Sequence, residues 1–65
     1  MLPSLRYWRS RRGFTQERLA ERLGMHQNTV WAIEAGHPAF MRTARLLAVA
    51  LHVQVVDLMG QPPSE

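Results

Sequence analysis

Two carboxamides stand side by side at Gln27 and Asn28, in the stretch LGMHQNTVWAIEAG that spans residues 23–36. A carboxamide holds a donor and an acceptor on one flat edge, which suits paired hydrogen bonds to another such edge. His26, Thr29 and Trp31 stand around them. At helical spacing only Val30 and Ile33 recur as a buried stripe, so the amides and the indole face outward. That surface suits recognition rather than bond-making. His26, His37 and His52 lie eleven and fifteen residues apart, which is not the spacing of metal ligands on one helix face. Asp57 is the sole aspartate, the serines lie near the ends or on the first helix, and no glycine-rich phosphate loop is present. No catalytic residue, metal site or cofactor is expected.

The chain of 65 residues is long enough for one domain. A chain this short buries only about 60% of its unfolded surface, so its stability is modest. It has no cysteine, hence no disulfide framework and no thiolate site. The longest apolar run, residues 46–51, is too short to span a bilayer. The N-terminus shows no secretory pattern, so the expected compartment is a reducing cytoplasm. Eight arginines against five acids give a formal net charge of +3. This excess fits an anionic partner, most simply nucleic acid, and equally an ordinary surface with spare charge.

These residues need elements to position them. Glycine and proline punctuate the chain at residues 3, 13, 24, 36, 38, 60, 62 and 63. Ser4 is placed to cap a first helix running to about Arg12, with Leu5 and Trp8 inward, and Gly13 ends it. Thr15 starts a second helix running to Leu23, with Leu19, Ala20 and Leu23 buried, and Gly24 stops it. A third covers about 27–35 and stops at Gly36. A fourth covers about 39–51, with Met41, Ala44, Leu47, Ala48 and Leu51 on one stripe. The link HPAF lacks a polar cap, which leaves Pro38 to open that helix. A short fifth covers about 55–59, although HVQVV is β-branched enough to read as a strand. The expected fold is all-α: a compact five-helix domain over residues 1–60, with a tail at residues 61–65.

Helices two and three carry a sharper pattern. Counting from Gln16, Ala20 stands four on, Gly24 eight on, Val30 fourteen on and Ile33 seventeen on. Ala20 is small where two helices cross, Gly24 permits a left-handed turn, and Val30 and Ile33 clamp the third helix onto the second. That is a helix-turn-helix at helices 2 and 3. Over roughly residues 5–59 the chain resembles the Cro and phage-repressor (XRE-type) family. LRYWRSRRGFTQERLAERLG corresponds to its first two helices and NTVWAIEAG to its third helix and stop.

The resemblance implies a repressor-like domain that binds double-stranded DNA, with the third helix in the major groove. The outward arc of that helix would read bases: Gln27 and Asn28 paired to adenine edges, Ala32 against a thymine methyl, and Trp31 on a sugar or methyl. For Trp31 the competing reading is partial burial against the fourth helix. By the same resemblance Gln16 contacts a phosphate and props the first groove residue. Thr15 offers a hydroxyl and a helix start to another. Arg11 and Arg12 lie beside that end, either on phosphates or as a solvated basic face. His26 takes the cap position, where histidine is a poor cap; it reaches a phosphate or sits in solvent. Arg9 and Glu34 match a pair that relatives bury between the first and third helices. The link after Gly36 departs from the family, being about one residue short.

Leu46 and Val49 lie opposite the core stripe of the fourth helix, and Val53, Val56 and Met59 follow closely. These five are expected to build a two-fold homodimer on a palindromic operator, or else Leu46 and Val49 are scattered surface apolars. The function class expected is a sequence-specific transcriptional regulator, a repressor above all, bacterial or phage-encoded and nucleoid-associated. The alternative is an antitoxin or other interaction module whose main partner is a toxin. A bare domain of this size favours the regulator, because no extra segment is present to wrap a partner. No membrane partner is expected.

Overall fold

The computed structural model describes residues 2–63. Among them the chain forms five α-helices and no strand: α1 (Leu5–Arg11), α2 (Gln16–Leu23), α3 (Gln27–Glu34), α4 (Met41–Leu51) and α5 (Val55–Met59). The β-branched stretch HVQVV forms no strand: His52, Val53 and Gln54 turn the chain, and Val55 and Val56 begin α5, where Leu58 drops fully into the core and the Asp57 carboxylate accepts the Gln54 N–H at 2.8 Å. Residues 61–63 carry no regular structure, and the end of the expected tail, residues 64 and 65, lies outside the described residues.

Leu5, Leu19, Val30, Leu47, Leu51 and Leu58 are completely buried, one or two from each helix. Ala20, Ala44 and Ala48 let the helices approach closely. Leu23 and Trp8 are only half-buried, packed at the margin of this core. The bound of each early helix follows local chemistry. Gly13 turns the chain after α1 with φ 79°. The Thr15 hydroxyl accepts the Arg18 N–H at 3.0 Å and caps α2.

Four expectations from the sequence need correction. Ser4 sits at the N-cap position of α1, yet its side chain makes no cap. Its hydroxyl instead donates to the Gly60 carbonyl, and its own N–H donates to Leu58 at 3.2 Å. Ser4 thus ties the first helix to the last, and Leu2 is buried beside it. Second, α4 begins at Met41 rather than 39, and Pro38 does not open it. Phe40 holds the N-cap position with extended backbone and no side-chain cap. Third, Met41 is 50% exposed rather than part of the core stripe, because it is the first helical residue and lies beyond the packed turn. Fourth, Val53 is half-buried against the protein's own core, so it is only partly available to a partner.

Candidate nucleic-acid interface

α2 and α3 pack directly on each other through Leu19, Ala20, Val30 and Ile33. Three residues, Gly24, Met25 and His26, join them. Gly24 adopts left-handed backbone at φ 66° and ψ 31°, which a side chain with a Cβ disfavours. Met25 sends its N–H back to Ala20 O at 2.9 Å, closing the turn. His26 does cap α3: its Nδ1 accepts the Asn28 N–H at 3.1 Å. An accepting Nδ1 places the ring proton on Nε2, so the exposed side of the ring is a donor.

The far end of α3 is held differently. Glu34 is met by Arg9 in a bidentate pair, with Nε to Oε2 at 2.5 Å and Nη2 to Oε1 at 3.2 Å. Their side chains are 12% and 6% exposed. The remaining Arg9 nitrogen, Nη1, donates to Phe14 O at 2.8 Å. Gln16 Nε2 donates to Glu34 Oε1 at 3.0 Å. One carboxylate therefore fastens α3 to α1 and to the start of α2. Removing one partner of such a pair typically costs about 3–5 kcal/mol, since the other charge stays buried.

This geometry alters two expected roles. The Gln16 amide props the end of α3 at Glu34, rather than the first groove residue, Gln27. Arg12 stacks its guanidinium 5.1 Å from the Trp8 ring centre and donates from Nε to Leu51 O at 2.7 Å. It closes the C-terminus of α4, where the last carbonyls lack helical partners. Its Nε is committed to that bond. Arg11 lies over the Tyr7 ring at 5.6 Å.

Between these two anchors α3 presents its outward arc. Gln27, Asn28 and Thr29 are exposed in its first turn, and Ala32 is half-buried. Trp31 is 57% exposed and is not tucked against α4. It lines a cleft of about 320 Å³ together with Arg6, Arg9, Gln16, Glu34 and Ala35. Arg6 was not singled out by its sequence context; its position three residues before Arg9 was the available signal.

Two packed helices joined by a tight turn, the second anchored at both ends and exposed along one face, define a helix-turn-helix domain. The helix-turn-helix domain family matches residues 4–59, and the chain belongs to this DNA-binding family, which is of the XRE/Cro-like type. No curated protein and no solved structure matches the chain. Among the described residues no helix is long and apolar enough to cross a membrane.

Proposed function

We propose that the chain is a sequence-specific transcriptional regulator of the repressor type, reading double-stranded DNA in the major groove with α3. The observation that carries this reading is the exposed pair Gln27 and Asn28 at the N-terminal turn of a helix fixed at both ends. In this docking mode the N-terminal residues of the second helix touch base edges, and amides pair with adenine. Trp31 and Ala32 follow on the same arc. Thr15, Gln16, Arg11 and the Nε2–H of His26 flank the arc and take phosphates. The protein acts by binding, not by catalysis.

The longest dimension of the described chain is 29 Å, less than the roughly 34 Å between half-sites one DNA turn apart. One copy therefore covers one half-site, and a palindromic operator calls for two. Leu46, Val49, Val56 and Met59 are all exposed on α4 and α5, with Val49 at 74%, and exposed apolar side chains on two helices that pack together favour a partner. A second copy is the partner we assign to it. Sedimentation at tens of micromolar gives a dimer for the parent and a monomer for Val49→Lys.

The direct test is selection of binding sites from random duplexes, followed by a salt titration. The expected result is a two-fold motif and an affinity that falls steeply with salt. If the protein instead binds all duplexes equally or none, the regulator reading fails. Purification of the chain in a stable complex with a toxin, with DNA indifferent, favours the interaction-module alternative.

A further inference from the structure

We infer that the cleft between α1 and α3 is a subsite for one phosphodiester and its deoxyribose, with Arg6 as the charged contact and Trp31 as the sugar platform. The inference rests on the DNA-binding reading and adds to it a contact from the first helix.

Helix periodicity builds the cleft. Arg6 and Arg9 stand three apart on α1, and Trp31, Glu34 and Ala35 stand three and four apart on α3. Arg9 is locked to Glu34, which holds that face of α1 toward that face of α3. Arg6 is thereby held at the cleft's edge, one turn from the pair.

The second observation is what Arg6 does not do. Four other arginines stack on aromatic rings: Arg11 on Tyr7, Arg12 on Trp8, Arg22 on Phe14 and Arg42 on Phe40, at 5.1 to 5.9 Å. A guanidinium within about 6 Å of a ring is an ordinary cation–π contact. Arg6 and Trp31 line one cleft without closing on each other, and no hydrogen bond or ion pair engages Arg6 among the described residues. The gap between them, about 320 Å³ in all, stays open.

Charge and position specify the occupant. Arg6, Arg9 and Glu34 sum to +1, because two guanidiniums face one carboxylate. The Glu34 charge is already balanced by Arg9, and Gln16 hydrogen-bonds the same carboxylate, which weakens its repulsion of an anion at Arg6. An amide nitrogen has two hydrogens, and Gln16 spends one on Glu34. Arg6, this second hydrogen and the indole N–H are donors, and an exposed indole face suits a sugar. Along α3, Trp31 lies about 6 Å beyond Gln27, at 1.5 Å per residue. A straight helix in a curved groove leaves the base edges within a turn or so. What borders it there is the sugar-phosphate strand.

The test uses a selected duplex in which single phosphates are replaced by neutral methylphosphonates, with the parent, Arg6→Gln, Trp31→Ala and Gln27→Ala. Arg6→Gln should bind every sequence about tenfold more weakly per half-site, about a hundredfold for the dimer, and lower the salt slope by about 1.8, two phosphates' worth. One replaced phosphate per half-site should weaken the parent and leave Arg6→Gln indifferent, and Trp31→Ala should lose affinity without altering base preference. The melting temperature of Arg6→Gln should match the parent, since Arg6 is exposed and makes no hydrogen bond or ion pair among the described residues. Parent-like affinity and slope in Arg6→Gln, while Gln27→Ala relaxes base preference, overturns the subsite and leaves the DNA reading intact. A lowered melting temperature with unchanged DNA binding makes Arg6 structural and also overturns it. A parent that binds no duplex overturns both readings together.

Discussion

α2 passes into α3 through Gly24, Met25 and His26; α4 passes into α5 through His52, Val53 and Gln54, along nearly the same backbone path. Gly24 and His52 both adopt left-handed backbone, at φ 66° and 57°. Met25 and Val53 each return an N–H to the carbonyl five residues back, and each packs half-buried on the core. A side chain bonds the backbone at the start of the second helix in both cases: His26 Nδ1 accepts from Asn28 N, and Asp57 accepts from Gln54 N. The second helices then diverge. α3 turns amides and an indole outward and is fastened at its far end by the buried Arg9–Glu34 pair. α5 is five residues long, turns Val56 and Met59 outward, and is held by Leu58 and by Ser4. A tight helix–helix turn is therefore a scaffold that either outcome can use. What makes one copy suited to reading is the chemistry of its outward arc and the rigidity of its anchor.

The anchor is the place to break this contrast most severely. Glu34→Ala leaves the Arg9 charge buried without its carboxylate, with only Phe14 O still accepting from it, and leaves Gln16 without its acceptor. It should cost about 3–5 kcal/mol, enough to leave little folded protein in a thermal melt followed by circular dichroism. A melt matching the parent would show that α3 is held by its apolar face alone.

Next in size are the outward arcs, where the two helices should respond oppositely. Gln27→Ala and Asn28→Ala should each cost about 1–3 kcal/mol in binding a selected duplex, with the melting temperature unchanged. Val56→Lys on α5 should keep every base preference while weakening self-association, read by sedimentation. Base preferences that shift in Val56→Lys would erase the distinction between the two helices.

The turns themselves give a smaller, signed test. A Cβ at Gly24 meets no atom within 4 Å, so Gly24→Ala carries only the backbone cost of left-handed geometry, about 1–2 kcal/mol. His52 already bears that cost, so His52→Gly should gain stability, by less than about 1 kcal/mol once glycine's larger unfolded-state entropy is set against it. Urea melts of both variants check the opposite signs. His26→Ala, which removes the α3 cap, should lose about 1 kcal/mol in the same assay.

The sequence made some of this visible and hid the rest, for physical reasons. Local signals served well. Gly13, Gly24 and Gly36 mark turns with positive φ, and Leu19, Ala20, Val30 and Ile33 are buried at the spacing their periodicity implies. Signals that depend on distant partners were illegible. Ser4 reads as a cap because serine usually is one, yet Gly60, fifty-six positions on, takes its hydroxyl. Arg12 reads as a surface cation, yet the end of α4 takes its Nε. Gln16 and Glu34 are eighteen apart, and nothing near either one announces the other. Met41 has the right spacing for the core stripe, but spacing does not reveal that α4 starts there. Histidine's weak cap preference concealed that the His26 ring nitrogen accepts as an oxygen would.

The central claim is that the first turn of α3 reads bases, and site selection run in parallel on the parent, Gln27→Ala and Asn28→Ala tests it most directly. The account predicts a two-fold motif for the parent. Each variant should recover the same motif with preference lost at one base pair per half-site and kept elsewhere. Three identical motifs, or none, would contradict it.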